Sequence, residues 1–530
     1  MSGSARKPTG WRSDLWVAIV TVLTGLFLAW FTAQLSGSEL VKRSTARGFL
    51  PLLTPSYVDA AKRNAISIFT IDGQDLDAFG VDWPMPLDFL ARRTQAILTR
   101  HPRAVFIDLL LLSERSDDEI GALRRVLCTA PSGHVFIATL GDVRRYSRTE
   151  RALFDGVAPG TGSIPPGPPC AIPVNARVSP DKLDQLQWQY PMTVAVTEGG
   201  VPGESSEHRG SPDPLERSAA LAIYCTLEAQ RCPHEHERPM ALVWPATADA
   251  TNVQTMIRAV PTGGYEATCR SRSELWEHIP FSRLVMDTWV DLDGAPLRKS
   301  PICPYHEVVP LRAFNGVGFS VAEIDQAIAN RIVMIGADIT GANDRVNSPL
   351  NGSLPGVHAH AMALDNLIAF DGRYKEFAEF DWREPLSRGS LFVMISVVTI
   401  TIALTLRRRY LPPLPPRKPG PPRKWTGRLG LLLASPAMVL RGLPAQRGGE
   451  WRARLQVGSL VFLVSAVLVM MLFTLGFHVF RQGPLAMVEY VLSPLAAHFL
   501  HLGEALAHRS VRWWKAIRSD DPWGAWYEGD

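Results

Sequence analysis

Long apolar runs constrain this chain more than any other feature of its 530 residues. Residues 15–35 contain twenty-one residues and no charged side chain. At about 1.5 Å of rise per residue, a helix of that length crosses a hydrocarbon layer of about 30 Å. Residues 389–406 and 455–480 are also free of Asp, Glu, Lys and Arg. We therefore predict membrane-spanning helices at 15–35, 389–406 and 455–480.

The first run has a second interpretation. Arg6, Lys7 and Arg12 precede it, as basic residues precede the apolar core of a cleaved signal peptide. Such cores are usually about 7–15 residues long, so the greater length here favours an uncleaved anchor.

Residues 484–506 also leave two alternatives open. Apolar side chains recur at three- and four-residue spacing, while Glu489, Pro494 and His498 interrupt the run. The segment either spans the membrane with its polar side packed against other helices, or lies in the membrane interface as an amphipathic helix. The basic residues of the tail, 507–530, favour the spanning alternative.

Charge predicts which side of the membrane each segment occupies. Residues 407–454 carry twelve Lys and Arg against one acidic residue, a net charge of +11. Because basic loops stay in the cytoplasm, this loop and the N-terminal residues 1–14 are predicted to be cytoplasmic, and residues 36–388 extracytoplasmic. The whole chain has a formal charge of only +4, which does not suggest a nucleic-acid partner.

The cytoplasmic loop is rich in Pro and basic residues, a composition that does not form a packed core. Its basic side chains are candidates for docking a cytoplasmic partner or anionic lipid, although the loop could equally be a linker that sets the topology. These candidates are Arg407, Arg408, Arg409, Arg417, Lys418, Arg423 and Lys424.

All six cysteines fall within residues 36–388, where an oxidising environment permits disulfide bonds. Only Cys225 and Cys232 are close enough in sequence to propose as a pair. A zinc site from Cys232 to His236 is the alternative, but its spacing matches no common zinc pattern. We therefore predict no metal site and no cofactor.

Hydrophobic periodicity predicts an α/β extracytoplasmic domain, built from βαβ units around a mostly parallel or mixed sheet, in addition to the α-helical transmembrane region. Continuous apolar character in 104–112 indicates a strand that is buried on both faces. The turn-rich stretches 156–174 and 199–215 are predicted to be loops. The remaining strands are expected at 65–71, 134–140 and 332–337, and helices at 87–100, 118–127 and 356–368.

Several of these segments resemble a known family, the second type of CHASE domain, a sensory module of bacterial transmembrane receptors. The resemblance rests on Ile68–Asp72, Trp83-Pro84, Val105–Asp108, Ile332–Gly336 and Leu354–Val357, in this order and between predicted spans. The acidic residues Glu114, Asp117 and Asp344, and His360, accompany these motifs.

The resemblance implies a sensor in the bacterial inner membrane, with one span before the domain, usually three after it, a cytoplasmic output domain and dimerisation. This sequence departs from that pattern at Leu87, where a basic residue is common, and at Met362, where Asn is common. No output domain follows the last apolar run. We therefore expect a receptor-like subunit that signals to a separate cytoplasmic effector.

Candidate ligand residues follow the strands, because ligands of open α/β sheets bind at the carboxyl ends of the strands. Asp72 and Asp108 occupy such positions, but both side chains could instead cap loops or helices. His360 could contact a ligand or be a packed, hydrogen-bonded histidine. The candidate set is Asp72, Trp83, Asp108, Glu114, Asp117, Asp344 and His360.

Catalytic sequence motifs of cyclases, kinases and hydrolases are missing from the sequence, so we do not expect an enzyme. Two alternatives to a sensor remain. One is a structural or assembly protein of the cell envelope that binds other proteins, and the other is an extracytoplasmic hydrolase that uses Glu114 and Asp117.

Overall fold

The structure is a computed structural model that describes Leu50, most of residues 63–376 and short pieces within 391–399 and 471–483. The largest gaps in the main range are 155–168, 196–214 and 270–301. Residues 63–376 and 481–483 belong to one compact unit, and the pieces within 391–399 and 471–480 belong to another.

Within the described part of the chain, no helix combines the length and the apolar character that a membrane span requires. The predicted spans 15–35, 389–406 and 455–480 and the segment 484–506 lie wholly or largely outside the described residues. The basic loop 407–454, with its candidate docking residues from Arg407 to Lys424, lies outside them as well.

The larger unit alternates strands with helices along most of its length. In chain order, its strands are β1 (Ile66–Asp72), β2 (Ala104–Asp108), β3 (Val135–Thr139), β4 (Ile172–Asn175), β5 (Gln189–Tyr190), β6 (Thr193–Ala195), β7 (Leu215–Arg217), β8 (Met240–Ala241), β9 (Ile257–Ala259), β10 (Tyr265–Ala267), β11 (Glu307–Pro310), β12 (Ile332–Asp338), β13 (Arg345–Ser348) and β14 (Gly352–Pro355). Its helices are α1 (Gly73–Phe79), α2 (Leu87–Leu98), α3 (Asp117–Leu127), α4 (Arg148–Phe154), α5 (Ala219–Leu227), α6 (Val321–Ile328) and α7 (Val357–Ala369).

Six of these strands form one parallel sheet in the order β11-β1-β12-β2-β3-β4. The late strand β12 pairs with β1 on one side and β2 on the other, with Ile335 opposite both Phe69 and Ile107. The shorter strands form four separate two-stranded antiparallel sheets. The predicted α/β class with a parallel sheet is therefore confirmed.

Two predicted element boundaries were wrong. The apolar run 104–112 leaves the sheet after Asp108, and its last residues pass into a loop. The predicted loop 156–174 contains the start of β4, which includes Pro173. Proline is tolerated there because β4 is the edge strand, so its missing amide hydrogen costs less than in a central strand.

One face of the sheet is covered by the helices that connect its strands. The connections β1 to β2, β2 to β3, β3 to β4 and β11 to β12 all move in the same direction across the sheet. Right-handed crossovers of this kind place their helices on one face. Accordingly, Phe89 of α2, Leu123 of α3 and Ile328 of α6 share a buried cluster with Ile107 and Ile335 of the sheet.

The opposite face is covered by α7 and α5, which pack against each other. A Cβ atom on Gly336 of β12 would lie 2.6 Å from the Cβ atom of Val357, far inside normal contact. Glycine at this position therefore allows α7 to lie directly on the sheet. One turn later, the His360 ring packs edge-on against Phe106 of β2, with ring centroids 5.5 Å apart.

Three disulfide bonds involve all six cysteines: Cys128–Cys170, Cys225–Cys232 and Cys269–Cys303. The predicted Cys225–Cys232 pair is confirmed, and it joins the end of α5 to the turn that follows. Because the sulfur of Cys232 is bonded to Cys225, it is not available as a thiolate ligand, which removes the basis of the zinc alternative.

Candidate ligand-binding site

A cavity of about 320 Å³ opens at the carboxyl edge of the parallel sheet. Its lining includes residues that end or follow four of the strands: Asp108 of β2, Leu140 after β3, Ala176 after β4 and Ala337 of β12. Ligands of open α/β sheets bind at this edge, because the loops that leave the strands diverge there. The cavity therefore lies where the sequence analysis expected a site.

The walls of the cavity are mainly apolar. Leu109 and Leu111, which follow β2, line it together with Met85 and Leu90. Trp83 and Leu110 also line the cavity, and they are 38% and 44% exposed. Two large apolar side chains that remain partly open to solvent beside a cavity are characteristic of a binding surface.

Asp108 is the most unusual group in the cavity. It is only 8% exposed, and its Oδ2 atom accepts no hydrogen bond from the described residues. Nε2 of His360 lies 3.7 Å from this oxygen, which is beyond hydrogen-bonding distance. Burial, together with the negative charge of Asp344, raises the pKa of Asp108 well above its ordinary value. Within the described part of the chain, the ionised form of Asp108 therefore lacks the positive partner that a buried carboxylate requires.

Asp344 supplies a second carboxylate to the same cavity, from the loop between β12 and β13. Burial also raises the pKa of Asp344. Its carbonyl oxygen accepts a hydrogen bond from the amide of Gly356 at 2.9 Å. A Cβ atom on Gly356 would overlap the Asp344 carboxylate, so glycine is needed for this approach. Asp344 thus connects the cavity to the start of α7.

His360 connects the cavity to α5 through Tyr190. The Tyr190 oxygen lies 2.8 Å from Nδ1 of His360 and accepts a hydrogen bond from the Ala220 amide at 3.1 Å. Burial lowers the pKa of His360 to about 4 and raises that of Tyr190, so both groups are neutral near pH 7. With the Tyr190 hydroxyl as the donor to Nδ1, the imidazole proton lies on Nε2, the nitrogen on the Asp108 side.

Other predicted site residues lie elsewhere. Asp72 does not line the cavity; it caps α1 by accepting a hydrogen bond from the Asp75 amide at 2.8 Å. Its carboxylate also forms an ion pair with Arg312, with Oδ2 2.6 Å from Nη1. Asp117 begins α3, forms an ion pair with Arg148 and likewise does not line the cavity. Glu114 lies outside the described residues.

Of the predicted set, the structure thus brings together Trp83, Asp108 and Asp344, with His360 directly behind Asp108. Two contributors were missed by the sequence analysis. Tyr190 lies in the two-residue strand β5, too short to show any periodicity, and it is 170 positions from His360. Arg115 also lines the cavity. Its neighbours in the sequence include acidic residues, and the sequence analysis selected those acidic residues as candidates instead.

The model of the CHASE2 domain family matches residues 17–403. No curated protein matches the chain, and no solved structure matches it. CHASE2 domains are extracellular sensory domains. The match includes every strand of the parallel sheet and all the cavity residues described above. The chain therefore belongs to the CHASE2 domain family.

Proposed function

We propose that this protein is a membrane-anchored bacterial sensor whose extracytoplasmic domain binds a small ligand in the cavity of Asp108 and Asp344. The observation that carries the proposal is the Oδ2 atom of Asp108, which is buried and without a hydrogen-bond partner among the described residues. Leaving such a group unsatisfied costs roughly 1–3 kcal/mol, and more when it is charged. A ligand that bonds to Asp108 would explain why the protein keeps an unsatisfied carboxyl group at this position.

Helix α7 is the proposed route from the cavity to the membrane. Its first turn lies against Asp344, and His360 in its second turn faces Asp108. The helix ends at Ala369, and the predicted second span begins at residue 389. A ligand that changes the Asp108–His360 contact would stabilise a different position of α7. A signal requires two such states of the domain that bind the ligand with different affinity.

A backbone contact supports the proposed topology. The amide of Glu376, which precedes the second predicted span, donates to the carbonyl oxygen of Arg481 at 2.9 Å. The Gly483 amide donates in turn to the carbonyl oxygen of Glu376 at 3.0 Å. Residues 481–483 directly follow the third predicted span, 455–480. Both ends of this pair of spans are therefore expected on the same side of the membrane, together with the sensory domain.

The basic loop 407–454 is the proposed docking surface for a separate cytoplasmic effector. We propose no enzymatic activity for the chain itself. Asp117, one of the two carboxylates that the hydrolase alternative requires, is engaged by Arg148. Contact of the loop with anionic lipid would add about 1 kcal/mol per well-placed basic residue and would hold the loop at the membrane surface.

Thiol labelling of intact cells tests the topology. After mild reduction, we expect the six cysteines to react with a membrane-impermeant reagent before lysis. In a variant whose native cysteines are replaced by alanine, Lys418→Cys should react only after lysis. The opposite pattern would show that the domain is cytoplasmic, and the sensor proposal would be wrong.

Co-purification in mild detergent tests the signalling role. We expect the wild-type protein to retain a cytoplasmic signalling enzyme, such as a cyclase or a kinase, and a variant with Arg407, Arg408 and Arg409 changed to Gln to lose it. Recovery of envelope proteins alone, from both the wild type and the variant, would instead support the structural or assembly alternative.

A further inference from the structure

The charges around the cavity are unevenly distributed. Its lining includes two carboxyl groups, those of the buried Asp108 and the partly exposed Asp344. The one basic side chain among the described lining residues is Arg115, which is partly exposed and donates to the Pro84 carbonyl oxygen at 3.3 Å. His360, behind Asp108, is neutral because burial lowers its pKa to about 4. The cavity around Asp108 is therefore an acidic site without a cation of its own among the described residues.

The walls exclude most other classes of ligand. Ca²⁺ and Mg²⁺ take about six to eight oxygen ligands, whereas the described walls add mainly leucine, methionine and alanine side chains to the two carboxylates. An anion would meet the charge of the buried Asp108. A sugar would leave most of its hydroxyl groups against apolar walls such as Leu90 and Leu109, without hydrogen-bond partners.

The volume fits a small organic molecule. Cavities that bind such ligands begin at about 300 Å³ and combine apolar walls with a few well-placed polar groups. The present cavity has this size, and Trp83 adds an aromatic surface to its lining. Aromatic faces attract cations as well as apolar groups.

We propose that the cavity binds a small organic cation, an ammonium group on an apolar body, with the ammonium group between Asp108 and Asp344 and the apolar body against the leucine walls. This inference rests on the proposed function, since it names the ligand of the same sensory site. The ammonium group supplies the hydrogen-bond donor and the positive charge that Asp108 does not find among the described residues.

The inference implies that binding releases protons. Among the described residues, the charged and titratable groups that line the cavity with Asp108 are Asp344 and Arg115, and those behind Asp108 are His360 and Tyr190. His360 and Tyr190 stay neutral near pH 7. Of these groups, Asp108 and Asp344 are therefore the ones that release protons on binding. An ammonium ligand lowers their raised pKa values because it favours the ionised forms. Affinity should rise with pH up to the pKa of the amine.

Thermal unfolding of the full chain in detergent provides the first test. The probes are 3-methylbutylamine, 2-phenylethylamine, 1,5-diaminopentane and tetramethylammonium, with 3-methylbutan-1-ol, leucine and Mg²⁺ as comparisons. At about 10 mM, a ligand with a dissociation constant of about 0.1 mM stabilises the folded protein by about 2.7 kcal/mol. We expect at least one amine to raise the melting temperature and the neutral alcohol to have no effect.

Calorimetry of the amine that binds then tests the site. We expect Asp108→Asn and Asp344→Asn to weaken binding at least tenfold. Asp77→Asn removes an exposed carboxylate that does not line the cavity and is the matched control. The binding enthalpy should depend on the ionisation enthalpy of the buffer, since protons are released, and this dependence should become smaller in Asp108→Asn, which keeps only Asp344 as a proton source.

Four results would overturn the inference: stabilisation by Mg²⁺ alone, no response to any of the four amines, equal binding of the alcohol and its amine, or binding that Asp108→Asn leaves intact. Leucine binding more tightly than 3-methylbutylamine, with loss in Arg115→Gln, would identify a zwitterion site instead and would also overturn it. The effector experiment is independent. If the effector is retained but no amine binds, only the proposed ligand class is wrong. If an amine binds but no effector is retained, the sensor proposal is wrong.

Discussion

The hydroxyl of Tyr190 lies 2.8 Å from Nδ1 of His360, and this contact determines which imidazole nitrogen faces Asp108. The Tyr190 oxygen accepts a hydrogen bond from the Ala220 amide, and its own hydrogen bonds to Nδ1 in the His360 tautomer that carries the ring proton on Nε2. The resulting tautomer directs the Nε2 hydrogen of His360 towards the Asp108 carboxylate. Ala220 of α5 is thus linked to the cavity through the side chains of Tyr190 and His360.

The first prediction concerns Tyr190→Phe. The change removes the donor to His360 and leaves Nδ1 buried without a partner, so the free energy of unfolding should fall by about 1–2 kcal/mol. Denaturant unfolding of the full chain measures this loss. Tyr374→Phe is the control, because the Tyr374 hydroxyl bonds at 3.3 Å to the carbonyl oxygen of the exposed residue Arg238 and should contribute less. Equal losses would contradict the importance of the Tyr190 contact.

The second prediction is that Asp108→Asn stabilises the protein. Burial and the charge of Asp344 raise the pKa of Asp108, so the folded state keeps this proton to a higher pH than the unfolded chain. The stability that the proton contributes is complete below the ordinary pKa and is lost as the pH rises through the raised value. Asparagine has no carboxyl group to ionise, so the variant keeps this stability as the pH rises.

We expect Asp108→Asn to be about 1–2 kcal/mol more stable than the wild type near pH 7.5, with the difference shrinking towards pH 4. Melting temperatures across this pH range give the comparison. An Asp108→Asn protein that is less stable than the wild type near neutral pH would show that the carboxylate is satisfied in the ligand-free state.

The third prediction concerns the contact between β12 and α7. Gly336→Ala forces its new Cβ atom against Val357, so it should destabilise the protein by about 1–3 kcal/mol. Val357→Ala removes the opposing methyl groups, and the double variant should recover part of the loss. Gly121→Ala on α3 is the control, since its Cβ atom would meet only Arg125 Nη1 at 3.6 Å and alanine favours the helix. Strict additivity of the two changes would contradict the contact.

The fourth prediction concerns Arg312. Asp75 is fully buried, and Nη1 of Arg312 lies 3.2 Å from its Oδ1 atom and 2.6 Å from Oδ2 of Asp72. Arg312→Met leaves Asp75 without its positive partner and should cost about 3 kcal/mol. The loss should shrink at low pH, because protonation removes the uncompensated charge.

Arg231→Met is the matched control for Arg312. It breaks the Arg231–Asp371 ion pair, in which both side chains are more than half exposed, and should change stability by less than about 1 kcal/mol. Urea unfolding compares the two variants. Similar losses would mean that the buried position of Asp75 makes no difference.

The fifth prediction ranks two disulfide bonds. Chain-entropy estimates give about 4 kcal/mol for Cys128–Cys170, at a separation of 42, and about 2.4 kcal/mol for Cys225–Cys232, at a separation of 7. Double alanine variants of each pair, unfolded by denaturant, should show this order. Peptide mapping of the unreduced protein should recover both pairs, and any other connectivity would contradict the fold.

The parts of the fold that follow from local sequence were largely predictable. β2, β3 and β12 are short apolar runs because both of their faces are buried, and their boundaries were predicted to within about two residues, apart from the end of β2. β4 was missed because it has only four residues and contains a proline. The position of β12 between β1 and β2 depends on long-range pairing, which periodicity does not encode.

The candidate site was predictable in part, for similar reasons. Asp108 was identified because it interrupts the apolar run 104–112, and Asp344 because it accompanied the family motifs. Asp72 also ends a strand, but Arg312, 240 positions away, draws its carboxylate into an ion pair. Which of two strand-end carboxylates faces a cavity depends on such distant partners, and the sequence alone does not specify them.

The location of β12 also constrains the order in which the domain can form. β1 and β2 have no hydrogen bonds to each other in the ladder; each pairs with β12, which the ribosome makes more than two hundred residues after β2. Until Ile332–Asp338 has emerged, the facing edges of both strands lack their partner and are exposed to wrong pairing. A nascent chain truncated before residue 332 should therefore depend on chaperones, and the sensory domain should become protease-resistant only late in biosynthesis.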